Sequence, residues 1–248
     1  MERFENPNIR LEQYTTDAIS TADLLFFIGL DNGDLLNNLV IDLGAGTGRI
    51  CLGALLFGAL GAVAIEKDPA AVSVLKRNRE KMNLNERCLI IERDVAQISA
   101  QIEQSDNSDN YYGSDDLNEL FKEFRIEVED YHHHLTDTYV LENNAESEEL
   151  THLDSEKVCI MNPPFGIHKR GADKPFLNLA MAVSDKIYSI HYSGEKNRKY
   201  LTRFIEKRGW MVENIFSQKL AVEGCYKFHK MPQKDVLADI YKLEKKKL

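Results

Sequence analysis

Leu39-Val40-Ile41-Asp42-Leu43 is apolar but for one acid, and it runs directly into Gly44-Ala45-Gly46-Thr47-Gly48 and then a stretch with helical periodicity from Arg49 to Phe57. An apolar run without polar alternation reads as a strand buried on both faces, the kind from which parallel sheets are built. The three alternating glycines let the backbone turn sharply and come close to a ligand, at the N-terminus of the helix that follows. Strand, tight loop and helix open a nucleotide-type α/β unit, although the glycine spacing is not the one dinucleotide folds prefer.

The same rhythm repeats. Ala62 to Ile65, ending in Glu66, gives a second strand; Pro69 to Met82 a helix with Pro in its first turn; Cys88 to Ile91 a third strand ending near Asp94. After a break it resumes with a strand at Val158 to Met161, a helix around Pro175 to Val183, a strand at Ile187 to His191 and a helix from Glu195 to Arg208. Strands near Met211 to Leu220 and Val236 to Leu243 close the chain. Alternating βα units that finish on two successive strands predict one α/β domain over residues 1–248. Its sheet is doubly wound and mostly parallel, with helices on both faces and an antiparallel last strand, and the first loop lies at the switch point.

Residues 97–156 interrupt this pattern with few aliphatics and many Ser, Asn, Asp and Glu. They read as an acidic insertion between the third and fourth strands, either disordered or a small lobe. Phe124 to Val128 is its one alternating run, and Leu117 to Phe124 has room for two helical turns.

The net charge of -9 is unevenly spread. Residues 101–156 hold 17 acidic and 2 basic groups, whereas residues 157–248 hold 19 basic and 9 acidic. The acidic total therefore comes from one segment, and the C-terminal third is the candidate polyanion-binding face. No long apolar stretch and no charged-then-apolar N-terminus is present, so neither a membrane span nor a signal peptide is expected, and the reading is cytoplasmic. Cys51, Cys88, Cys159 and Cys225 lack CxxC spacing and read as buried free thiols.

Three motifs carry the chemistry. Glu66, ending the second strand, is placed to accept from ribose hydroxyls, and Asp94, with Val95 beside it, from an adenine amino group. Asn162-Pro163-Pro164-Phe165 follows the fourth strand. Two prolines hold that loop semi-rigid, so the Asn162 amide and the Pro163 carbonyl become fixed acceptors beside an aromatic ring, as an exocyclic amine needs.

Asp42 to Gly48, Glu66, Asp94 and Asn162 to Phe165 together resemble the S-adenosylmethionine-dependent methyltransferases with a Rossmann-like, seven-stranded fold, and the tetrapeptide looks like their amino-group class. Leu11-Glu12-Gln13-Tyr14-x-Thr16 and Tyr226-Lys227-Phe228-His229-Lys230 are similar to the archaeal and eukaryotic methyltransferase-like enzymes that modify a small-subunit ribosomal RNA adenine. The likeness spans residues 8–95 and 157–243. It implies a methyltransferase using S-adenosylmethionine, held by Gln13, Thr16, Asp42, Gly44, Gly46, Glu66, Asp94, Val95 and Asn162. It implies an RNA adenine flipped against Asn162, Pro163, Pro164 and Phe165, with Phe165 stacking on its face. RNA contacts fall on His168, Lys169, Arg170, Tyr226, Lys227, Phe228, His229 and Lys230. Family members also pair with a small zinc-ribbon activator protein at the edge of the third strand. The chain departs from the family in carrying Glu66 where Asp is common, and in a link after the third strand longer by roughly 50 residues.

Some roles stay open in the sequence. His168 is either a general base or a phosphate contact; with water able to take the amine proton, a base is not required. His229 walls the base or packs a strand edge. His132-His133-His134 cannot easily turn three rings to one ion, so no metal site is assigned. Other acceptors remain for this motif set: a guanine amino group, a DNA adenine, or a protein glutamine, where Tyr is usual in place of Phe165. A catalytically silent binding module is the remaining alternative.

Overall fold

The structure is a computed structural model that describes residues 1–13, 16–106, 126–136, 138, 155–166, 170–223 and 233–246. Seven strands form one sheet: β1 (Leu39–Leu43), β2 (Gly61–Glu66), β3 (Cys88–Glu92), β4 (Lys157–Met161), β5 (Lys186–Tyr192), β6 (Trp210–Glu223) and β7 (Gln233–Lys245). Their order is β3-β2-β1-β4-β5-β7-β6. The neighbours from β3 to β5 are all parallel. β7 runs antiparallel to both β5 and β6 and is the one reversed strand, as the succession of two closing strands predicts.

Every residue of β1 and β2 is buried, which explains their unbroken apolar sequence. Alternate side chains feed two cores. Val40, Ala62, Ala64, Val158 and Ile160 face one way, toward α1 (Ala18–Phe26), α2 (Arg49–Leu56) and α3 (Pro69–Lys81). Leu39, Ile41, Val63, Ile65, Cys159 and Met161 face the other, toward α4 (Val95–Asp106), α5 (residues 126–136), α6 (Lys174–Val183) and α7 (Glu195–Glu206). Asp17 caps α1 through the amides of Ile19 and Ser20, and Asp68 caps α3 ahead of Pro69, so the helix starts are written locally. Cys51, Cys88 and Cys159 are buried free thiols. Among the described residues no helix is long and apolar enough to cross a membrane.

The acidic break contains structure that its composition hides. It begins inside α4, and residues 126–128, read in sequence as part of an alternating run, lie in α5. Val128 and Leu135, seven residues and two helical turns apart, are buried in the second core. Leu135 Cδ1 lies 2.1 Å from where a Cβ on Gly61 would stand, so the bare backbone at the start of β2 makes its seat. Leu117 to Phe124 lies outside the described residues.

Candidate active site

Strand order reverses between β1 and β4, and at such a point the loops leaving the strand ends splay apart and leave a crevice. The two strands are paired with Leu43 opposite Met161. Gly44 and Asn162, each the next residue, therefore leave the sheet side by side, one opening the glycine loop and the other the proline loop. Their crevice is a cavity of about 270 Å³ lined by Gln13, Thr16, Asp42, Gly44, Gly46, Glu66, Asp94, Val95, Asn162 and Pro164, along with Phe4, Arg10 to Glu12, Arg49 and Phe176.

The glycine loop is positioned by backbone. Gly44 and Ala45 both donate to the Ile65 carbonyl, at 2.8 and 3.0 Å. Gly46 has φ 55°, and an added Cβ would stand 2.9 Å from Phe4 Cζ; Gly48 has φ 84°, and its Cβ would stand 2.0 Å from Leu75 Cδ1. Neither conformation nor space admits a side chain. Glu66 holds this loop from β2, its carboxylate accepting from the amides of Gly46 (2.8 Å), Lys67 (2.9 Å) and Asp68 (2.8 Å). Three of a carboxylate's roughly four lone-pair directions are thus used for bracing. Burial raises the Glu66 pKa while these amides pull against it. Asp94 caps α4 through the Ala96 amide at 2.8 Å and faces Lys67 Nζ at 3.4 Å.

Asp42 is buried under the loop and accepts from the Cys51 amide at 3.1 Å. Burial pushes its pKa up to about 7. Unfolded, it loses its proton near the ordinary aspartate value; folded, it keeps it until about pH 7. Over that window the unfolded state binds fewer protons, so this group's contribution to stability falls as pH rises from about 4 to about 7 and is level above. Asp42→Asn is expected to remove that fall, seen as a flatter dependence of Tm on pH than in the wild type. An unchanged dependence would show that Asp42 is ionised throughout.

In the proline loop, Asn162 Nδ2 donates to Thr16 Oγ1 at 3.3 Å, and the Thr16 carbonyl accepts from Arg49 Nη1 at 2.8 Å. The other polar atom of that amide is an acceptor oxygen. Pro163 is buried and Pro164 lines the cavity.

The family model for ribosomal protein L11 methyltransferase (PrmA) matches residues 22–107, from within α1 through α4. The rRNA N(6)-adenosine-methyltransferase Mettl5 of Drosophila melanogaster is 26% identical over 248 residues, covering 98% of this chain and 91% of its own. The crystal structure of PH1948 from Pyrococcus horikoshii matches with TM-score 0.68 at 27% identity, covering 99% of this chain and 93% of its own. MJ0284 of Methanocaldococcus jannaschii is 31% identical over 245 residues, covering 99% of this chain and 90% of its own. The chain belongs to the METTL5 methyltransferase family.

For a member of the METTL5 family, the sequence placed most of the cavity wall and less of its rim. Ten of the residues named beforehand, from Gln13 to Pro164, line one cavity. Pro163 and Phe165 do not: Pro163 is buried, and Phe165 is partly buried against the core formed with α1 and α2. Arg170 is exposed and off the cavity wall, whereas Gly171 and Ala172 are on it. His168, Lys169 and Tyr226 to Lys230 lie outside the described residues.

In the N-terminal segment the sequence reading named Gln13 and Thr16 but not Phe4 or the residues that hold the segment in place. Phe4 sits over Gly46, and Gln13 accepts from the Asn8 amide (2.7 Å) while donating to Asp68 Oδ2 (2.6 Å). Asn78 on α3 donates to the carbonyls of Thr47 (3.0 Å) and Glu2 (3.1 Å), tying loop and segment together. Apart from the Asn8–Gln13 bond, these contacts join residues far apart in the chain, so no local pattern announces them.

Part of the C-terminal basic excess is used internally. Arg198 forms two 2.7 Å bonds to Asp239, whose side chain is fully buried, because a buried carboxylate requires a partner. Arg208 bonds Asn178 at 2.9 Å and lies 3.6 Å over the Phe204 ring. On α5, His132 contacts Ser155 Oγ at 3.0 Å and stacks with His133, and among the described residues no cluster able to hold a metal ion is formed.

Proposed function

We propose that this methyltransferase uses S-adenosylmethionine to methylate the exocyclic amine of an adenine in RNA, with small-subunit ribosomal RNA as the substrate. The observation that carries this reading is the β1–β4 register, which sets Gly44 of the donor-side loop beside Asn162 of the acceptor-side loop over one cavity. The full-length similarity to enzymes named rRNA N(6)-adenosine-methyltransferase supports the adenine. The match to ribosomal protein L11 methyltransferase ends before Asn162 and so bears on the cofactor half alone.

The residues present fit the cofactor. The floor at Gly44 and Gly46 is bare backbone, and Asp42, Glu66 and Asp94 stand near or just beyond the ends of three successive strands, where their oxygens can accept from a nucleoside's hydroxyl and amino groups. The cofactor supplies a methyl group already activated on a sulfonium. Glu66 has one lone-pair direction left for a ribose hydroxyl, and Asp94 and Val95 flank the adenine end. At the other end, the Asn162 oxygen and the Pro163 carbonyl accept the two amino hydrogens, which turns the nitrogen lone pair out of conjugation and toward the methyl group. Orientation of this kind is worth up to roughly 7 to 11 kcal/mol. Phe4 and residues 10–13 keep water from the cavity.

Two further proposals follow from the same reading. The enzyme works in the cytoplasm, and it takes a small zinc-ribbon partner at the outer edge of β3. Near that edge Tyr131 of α5 donates to the Glu86 carbonyl at 3.3 Å and Glu127 pairs with Arg93 at 3.2 Å, so the partner would share the site with α5. Transfer of tritium from labelled S-adenosylmethionine is expected into ribosomal RNA, as N6-methyladenosine, and not into ribosomal protein. Label in protein alone, or in no acceptor with a partner-containing extract supplied, would overturn the reading.

A further inference from the structure

Glu12 closes the 3-10 turn Ile9–Leu11 with φ 52° and ψ 35°, a left-handed conformation. At that place a helix usually carries Gly, because a Cβ is strained there. A carboxylate-bearing residue in a glycine's position points to work done by its side chain. That side chain reaches the proline loop: Glu12 Oε2 accepts from the Gly166 amide at 3.2 Å, four residues beyond Asn162. Gly166 is itself left-handed, with φ 79°.

Around Glu12 the chain is fastened to the opposite wall. Gln13 bonds Asp68, the cap of α3, and Phe4 covers Gly46. Glu12 therefore joins the donor side of the cavity, on which the N-terminal segment is seated, to the loop that presents the acceptor.

Resting on the methyl-transfer reading above, we propose that Glu12 is a positioning residue for the methyl acceptor, fixing the Asn162 to Gly166 turn from the donor side. It acts through the Gly166 amide, and so sets where Asn162 and Pro163 stand. The loop is in register for transfer when the N-terminal segment is seated, which couples cofactor closure to acceptor alignment.

The test compares wild type, Glu12→Gly and Glu12→Gln as full chains. Glu12→Gly relieves the left-handed strain and is expected to melt no lower than wild type, yet to lose about 100-fold in kcat, the size of effect an ångström of misplacement produces. Its cofactor Kd and RNA KM are expected to stay within about threefold. Glu12→Gln keeps an oxygen for the Gly166 amide and is expected to retain kcat within about fivefold. Amide exchange of the peptide containing Gly166 is read in parallel, needs no turnover, and should quicken in Glu12→Gly but not in Glu12→Gln. Wild-type kcat in the Gly variant, a proportional loss of cofactor affinity, a Gln variant as slow as the Gly variant, or unchanged exchange would each overturn the proposal. A wild type that transfers no methyl group to RNA while showing the exchange pattern would instead overturn the proposed function.

Discussion

Asn162→Ala is expected to lower methyl transfer about 10²- to 10³-fold, the loss seen when one fixed hydrogen-bonding group is removed from a reacting centre. Cofactor affinity should stay within a few fold, because the amide belongs to the acceptor loop and donates to Thr16 on the N-terminal side, at 3.3 Å. Thr16 keeps its second tie, its carbonyl accepting from Arg49 Nη1 at 2.8 Å, so the cavity rim should survive the substitution. The Thr16 contact itself is worth about 1 kcal/mol and cannot supply an effect of that size through stability. Single-turnover transfer to ribosomal RNA, read beside calorimetric titration of cofactor, separates the two roles. Loss of cofactor binding in step with activity would move Asn162 from the acceptor to the donor side.

That expectation rests on features legible in the sequence because they are local. β1 and β2 declare burial on both faces by lacking polar alternation, Gly46 and Gly48 declare a turn no side chain can enter, and Asp68-Pro69 declares a helix start. Strand ends then place Asp42, Glu66, Asp94 and Asn162 around one crevice with no knowledge of their contacts. What the sequence did not disclose depends on contacts between distant residues. Glu66 looks like a ligand group but spends most of its acceptor capacity bracing Gly46, a bond across 20 residues. Phe4 and Glu12 belong to no periodic pattern, and their positions come from the loops they meet. Val128 and Leu135 are core residues set among acids, where average composition reads as solvent-facing. The basic excess of the C-terminal third overstated the free positive surface, because Arg198 answers a buried Asp239 that reads in sequence as one more strand-end charge.

Asp34 is the clearest such case, and Asp34→Ala is expected to destabilise the fold by about 3 kcal/mol, near the low end for breaking a buried ion pair. It lies ahead of β1, is 3% exposed, and accepts from Lys186 Nζ at 2.7 Å and from the Tyr188 hydroxyl, with Lys242 Nζ at 3.4 Å. Removing it leaves the fully buried Tyr188 hydroxyl without this acceptor and two lysines short of a counter-charge. Glu156, at 2.6 Å from Lys186, and Glu213, at 2.8 Å from Lys242, remain and hold the loss below the upper end of the range. Asp34→Asn keeps an oxygen for Tyr188 and should cost less, about 1 to 2 kcal/mol. Urea unfolding with an unchanged m-value measures both, and a loss under about 1 kcal/mol for the alanine would mean the cluster is screened like a surface pair. Because Lys186 begins β5, the cluster sits at the end of the sheet opposite the cavity. Folded Asp34→Ala should therefore transfer methyl groups at close to the wild-type rate, so that one aspartate governs how much enzyme is folded and Asn162 governs what the folded enzyme does.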